Sequence, residues 1–143
     1  GLCFALNIPL IGIHTTQVIS AAARKSIPEK DGFIFCPMVD ARRMEVFTAL
    51  YFPDLKEMSP ITSKVLTVDS FQELLELQPV YFIGDGCVKW QNICTNRNAR
   101  FIATNWNSCD MIELSEQLFN AKQFLSLAYS APDYGKGFHA VNQ

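Results

Sequence analysis

Two apolar runs set four residues apart constrain this chain more than any other feature. Phe33-Ile34-Phe35-Cys36-Pro37-Met38-Val39 and the stretch from Met44 to Phe52 are rich in β-branched and aromatic residues and flank Asp40-Ala41-Arg42-Arg43. The pattern predicts an antiparallel hairpin whose tip carries Asp40, Arg42, Arg43 and Glu45. An isolated hairpin is marginal in water, so the remaining segments must supply further strands and helices to cover it.

Upstream, Gly1 to Leu6 reads as the last turns of an amphipathic helix broken by Asn7-Ile8-Pro9. Leu10 to Ile13 reads as a short buried strand. Thr15 caps a helix from Thr16 to about Lys25, because Val18, Ile19, Ala22 and Ala23 fall on helical spacing. That helix and the strands on either side of it suggest a parallel crossover. Downstream, Lys64 to Val68 is a further short strand, and Asp69 or Ser70 caps a helix through Leu77, with Glu73 completing a capping box from Ser70. Val80 to Ile83 is a strand running into Gly84-Asp85-Gly86, Cys87 to about Cys94 is helical, and Arg100 to Ala103 is one more strand. Ser108 caps the longest helix, roughly Cys109 to Tyr129, and residues 131–143 run irregularly. Strands and helices alternate around one hairpin, which makes the class α/β.

With 143 residues, 49% of them hydrophobic and 18% charged, the chain fits one compact domain or the larger part of a two-lobed one. A net charge of -2, with no basic run longer than Arg42-Arg43, provides no field for a polyanion. Tight, direct RNA binding by this chain alone is not expected. Five cysteines, odd in number and without a CxxC pair, indicate a reduced, cytoplasmic protein with core thiols. No apolar run reaches the ~20 residues that span a bilayer, so no membrane partner is expected.

The search for chemistry returns few candidates. His14 and His139 lie far apart and outside any metalloprotease pattern, and Cys87 and Cys94 have no further ligand cluster, so no metal site, cofactor or catalytic residue is assigned. His14 reads first as an acceptor at a helix start. Gly84, Asp85 and Gly86 lie between a strand and a helix, where backbone N–H groups can receive a phosphate, although a GxG without a third glycine also makes a plain tight turn. Asp40, Arg42, Arg43 and Glu45 are either a solvated turn, with Asp40 bonded to an arginine side chain, or a charged contact surface for another lobe or protein.

Several of these segments resemble the TsaB (YeaZ) family. Gly1-Leu2-Cys3-Phe4-Ala5-Leu6, then Pro9-Leu10-Ile11-Gly12-Ile13 and Thr15, is similar to its GLA, P-x-IG and S-T-L elements. Val39-Asp40-Ala41-Arg42-Arg43-Met44-Glu45-Val46-Phe47 resembles its IDAR-x-x-EVY signature, the most specific match. Phe82 to Gly86 and the segment around Asp110, Met111, Leu114 and Phe119 resemble its strand-G-x-G turn and late helix. His14 departs from the usual Ser, and Asp133-Tyr134-Gly135-Lys136-Gly137 is a poor version of the terminal P-x-YL stretch.

The resemblance implies an actin, Hsp70 and sugar-kinase type of fold with ribonuclease-H-like lobes. In that frame residues 1–30 are a remnant of the N-terminal lobe and residues 31–143 form the C-terminal lobe. It implies a non-catalytic partner of TsaD and TsaE in making threonylcarbamoyladenosine in tRNA, with homodimer formation as a further expectation. Active members of this fold carry a glycine-rich phosphate hairpin where this chain has Asp40-Ala41-Arg42-Arg43, whose Cβ atoms resist positive φ and close approach to a phosphate. The alternatives are a glycoprotease-like or kinase-like enzyme of the same fold, or a regulatory nucleotide-binding module. The family's N-terminal strands and Gly-rich segment are expected ahead of Gly1.

Overall fold

A computed structural model describes residues 1–133 of the chain. Five strands form one mixed sheet: β1 (Ile34–Asp40), β2 (Glu45–Tyr51), β3 (Glu57–Val65), β4 (Val80–Ile83) and β5 (Ala99–Ile102), in spatial order β3-β2-β1-β4-β5. The first three pair antiparallel, while β4 joins β1 and β5 joins β4 in parallel. The helices are α1 (Leu2–Leu6), α2 (Thr15–Arg24), α3 (Gln72–Leu77), α4 (Val88–Gln91) and α5 (Ile112–Asn120), with 3₁₀ turns at Asp85–Cys87 and Ser108–Met111. None of the described helices is long and apolar enough to cross a membrane.

The period-two pattern of β1 and β4 divides their side chains between two cores. On one face Ile34, Cys36, Met38, Val80 and Phe82 pack with Leu66, Leu75, Cys87 and Trp90. Trp90 is fully buried among Phe71, Phe82 and Phe101, and its indole N–H donates to the Thr67 carbonyl at 2.8 Å. On the other face Phe33, Phe35, Tyr81 and Ile83 pack against Ile19 and Ala23 of α2. A buried hydrogen bond of 2.8 Å between the Thr16 and Tyr51 hydroxyls fixes α2 on that face, satisfying two polar groups that burial would otherwise penalise. A salt bridge of 2.5 Å from Lys25 to Asp110 ties the end of α2 to the turn before α5, and this contact holds the Asp110 carboxyl below the usual range.

Sequence and structure part at several places. Leu10 to Ile13 forms no strand: among the described residues only Leu10 pairs, in a lone antiparallel bridge to Leu125, so the segment lacks the repeated ladder that a strand needs. The expected crossover through α2 is therefore absent. The third strand begins at Glu57, well before Lys64, and Pro60 within it is tolerated because β3 lies at the sheet edge. Ser70 does not cap α3: its hydroxyl accepts the Thr67 N–H at 2.8 Å, and the helix starts after Phe71 with φ at 62°. His14, not Thr15, occupies the N-cap of α2, and its side chain makes no cap bond.

The long C-terminal helix is also shorter than its apolar pattern suggests. Asn107, not Ser108, opens it, accepting the Cys109 N–H at 2.8 Å while its own N–H donates to Asp110 at 2.9 Å. It ends at Asn120 because Lys122 adopts φ of 55°, and Gln123 and Lys122 donate back to Leu118 and Phe119 in a Schellman closure. His139 and residues 134–137 of the divergent tail lie outside the described residues.

Candidate functional site

The hairpin between β1 and β2 places all four predicted tip residues together at one end of the sheet. Asp40 is the last residue of β1, opposite Val46, and Glu45 opens β2. The Ala41 N–H donates to the Glu45 carbonyl at 3.1 Å, and the Glu45 N–H donates to the Arg42 carbonyl at 3.0 Å. Between them Arg42 and Arg43 both take the left-handed region, with φ of 72° and 47°. In a turn without glycine, positive φ is costly. The structure takes it twice, and Asp40 provides compensation by accepting the Arg42 N–H at 2.7 Å.

The second candidate segment joins the first. Gly84 follows β4 with φ at 96°, and a Cβ there would lie 2.5 Å from the Met38 carbonyl oxygen. A Cβ on Gly86 would lie 2.8 Å from the Val46 side chain and 3.1 Å from the Asp40 nitrogen. Both glycines are thus occupied in letting the turn lie directly on β1 and β2, which is the tight-turn reading of this motif. Asp85 turns its carboxylate to the Asp40 N–H at 3.0 Å.

Lys89 completes the arrangement. From the first turn of α4 its ammonium donates to the Asp40 carboxylate at 2.8 Å and to the Glu45 carbonyl at 2.6 Å, so one cation clamps both strands of the hairpin. The Lys89 contact, then the Arg42 N–H, holds the Asp40 carboxyl below the usual carboxylate range. The expected bond from Asp40 to an arginine side chain is absent; a lysine distant in sequence takes that place. Sequence reasoning missed Lys89, whose only local signal is its position four residues after Asp85.

Beside the tip, a cleft of about 440 Å³ separates Ile13, His14, Thr15 and Thr16 at the start of α2 from Val39, Asp40, Phe47 and Ile61 of the sheet, with Pro132 and Asp133 at its edge. His14 therefore sits across a cleft from Asp40 and outside any ligand cluster. Among the described residues no group of three or more His, Cys, Asp or Glu side chains could hold a metal ion. The buried thiols are not poised nucleophiles, since burial pushes Cys36 up to about 12 and Cys87 up to about 11.

Comparison with known proteins supplies the family. A structure described as an uncharacterized protein with similarity to peptidase YeaZ, from Pseudomonas aeruginosa, matches with a TM-score of 0.73 at 16% identity over 95% of this chain. A second, YeaZ from Pseudomonas aeruginosa, matches with a TM-score of 0.68 at 16% identity over 94% of this chain. The chain spans 63% of the length of each. No curated protein matches it by sequence. The fold is therefore the actin-like α/β fold that the resemblance implies, with a mixed sheet flanked by helices. The family model described as "TsaD: tRNA N6-adenosine threonylcarbamoyltransferase" matches residues 1–134, and the chain belongs to that family.

Proposed function

We propose that this protein serves threonylcarbamoyladenosine formation in tRNA as a non-catalytic partner subunit of a TsaD-containing complex, in the cytoplasm, with TsaE as a further component. The observation that carries this reading is the state of the hairpin tip. In a phosphate-binding hairpin the backbone faces the ligand directly, whereas here Arg42 and Arg43 place side chains on the turn and the Asp40 carboxylate is already bound by Lys89 and the Arg42 N–H. An aspartate so engaged is poorly placed to act as a general base or to hold a metal. The neighbouring glycines are filled by β1 and β2 and offer no cradle.

The rest of the surface supports an assembly role. Leu2, Phe4 and Leu6 of α1 are 78%, 79% and 63% exposed, apolar area of the kind that subunit contacts cover. This fits the proposed division in which residues 1–30 belong to an N-terminal lobe and 31–143 to the C-terminal lobe, with α2 bridging onto the latter's sheet.

Co-purification of the full-length protein with TsaD, followed by a tRNA modification assay with and without it, tests the proposal. Loss of modified adenosine when the protein is omitted, with no activity from the protein alone, is the expected result. A second reading, an enzyme of the same fold, draws on the transferase named in the family description. Threonylcarbamoyl transfer by the protein in the absence of TsaD would establish that reading and remove the first.

A further inference from the structure

We propose that the hairpin tip is a docking point for carboxylates on another protein, made by the guanidinium groups of Arg42 and Arg43. Both residues are exposed, and neither side chain has a hydrogen-bond or ion-pair partner among the described residues. The nearby acids are engaged elsewhere. Asp40 is held by Lys89 and the Arg42 N–H, Asp85 accepts the Asp40 N–H, and Glu45 accepts the Ser63 hydroxyl. No carboxylate of this turn pairs with the two guanidinium groups, which leaves them available to an acid from outside it.

The support beneath them is fixed. Two consecutive left-handed residues are bracketed by the Ala41-to-Glu45 and Glu45-to-Arg42 hydrogen bonds, and the Lys89 ammonium bridges both strands below. A rigid mount reduces the ordering entropy lost on association, and the planar guanidinium matches a carboxylate in two parallel hydrogen bonds. Phosphate has a similar bidentate chemistry, so nucleic acid is the competing ligand. The shortness of the basic patch argues for protein, because no basic run exceeds Arg42-Arg43, which suits one or two carboxylates and provides no continued track for a phosphate backbone. Within the function proposed above, the partner would be a subunit of the same complex, and the inference deepens that reading without requiring it.

The test follows the arginine side-chain Nε–H signals of the full-length protein by NMR during titration with hexaglutamate and, separately, with a six-nucleotide single-stranded RNA. Exposed Arg97, which also lacks a side-chain partner among the described residues but stands off the hairpin, is the internal control. Hexaglutamate is expected to titrate Arg42 and Arg43 about tenfold more tightly than Arg97. The paired substitution Arg42→Lys with Arg43→Lys should weaken this binding, and Arg42→Glu with Arg43→Glu should abolish it. Equal titration of Arg97 and the tip, or tighter binding of the RNA than of the peptide, would overturn the proposal. Separately, capture of TsaD and TsaE by wild type and by the double Glu variant reports on the assembly reading. Capture by wild type alone supports both ideas, equal capture by both sinks the docking point only, and capture by neither sinks the subunit reading while the peptide titration still decides the tip.

Discussion

Replacing Gly84 with alanine should damage the fold itself, and by an amount that the local geometry sets. The new Cβ would lie 2.5 Å from the Met38 carbonyl oxygen and 3.3 Å from its carbon, both backbone atoms of the central strand. That strand is paired on both sides, so it cannot withdraw without disturbing β2 or β4. The backbone conformation, φ 96° and ψ 176°, belongs to a region nearly exclusive to glycine, costing about 1–3 kcal/mol for alanine. Crowding against an immobile neighbour adds about 1–3 kcal/mol. The sum, roughly 2–6 kcal/mol, is a large part of the 5–15 kcal/mol typical of a whole domain. At about 3 °C per kcal/mol the melting temperature should fall by roughly 6–18 °C. Thermal unfolding followed by fluorescence measures this fall and urea unfolding the free energy, with fully buried Trp90 as the reporter. Gly32→Ala is the control, since Gly32 has φ of 75° but nothing within 4 Å of the added carbon. It should cost only about 1 kcal/mol. Equal losses from the two substitutions would show that close approach to Met38 contributes nothing, and the packing explanation of the glycine turn would fail.

Arg42→Gly should leave stability unchanged to within about 0.5 kcal/mol, because relief of left-handed strain offsets the added freedom of the unfolded chain, whereas Ala49→Gly in β2 should cost about 1 kcal/mol by the same denaturation assay. Lys89→Met removes the clamp on Asp40, whose carboxyl is held below its ordinary value by that contact. A depressed folded-state value stabilises at pH above the ordinary aspartate range near ~4 and is lost as pH falls through the lower folded-state value, so the stability gap between wild type and variant should narrow in acid titrations below about pH 4, leaving the part due to the Glu45 carbonyl contact. Alkylation at neutral pH, mapped by mass spectrometry, should modify exposed Cys109 first and reach Cys36 and Cys87 only on unfolding, since burial raises those two thiols to about 12 and about 11.

The elements that were legible in the sequence are those whose pattern and partner are both local. The hairpin was readable because two β-rich runs flank a short charged turn, and β4 with its following turn because an apolar run meets Gly84-Asp85-Gly86. β3 was misplaced because what makes it a strand is its register against β2, where Glu45 faces Val65 and Thr48 faces Thr62, and its own residues are mixed and half exposed. Leu10 to Ile13 failed for the converse reason: the composition is strand-like, but among the described residues the segment pairs only through the lone bridge of Leu10 to Leu125. The end of α5 was hidden because an apolar face continues past Asn120, while the stop comes from Lys122 in a conformation its residue type does not announce. In the site, Asp40, Arg42, Arg43 and Glu45 stood out by charge, but Lys89 and Asp85 enter through contacts across 44 to 49 residues of chain that no window reveals.

The two turns at this end of the sheet treat glycine in opposite ways, and the reason is which atoms face them. Gly84 and Gly86 lie against the backbone of Met38 and Asp40 and the side chain of Val46, so any Cβ meets matter that cannot yield. The hairpin tip faces outward, where a Cβ meets little and the penalty is conformational only, about 1–2 kcal/mol for each left-handed residue. A penalty of that size can be offset locally. The Asp40 acceptor for the Arg42 N–H, the Glu45 contacts across the turn and the Lys89 bridge to both strands are local interactions able to do so. The fold therefore demands glycine at the β4 turn and leaves the hairpin free to carry side chains, provided the clamp beneath it is present. It follows that the hairpin should lose its shape before the β4 turn does when Lys89 is removed, with amide exchange rising first at Arg42 and Glu45.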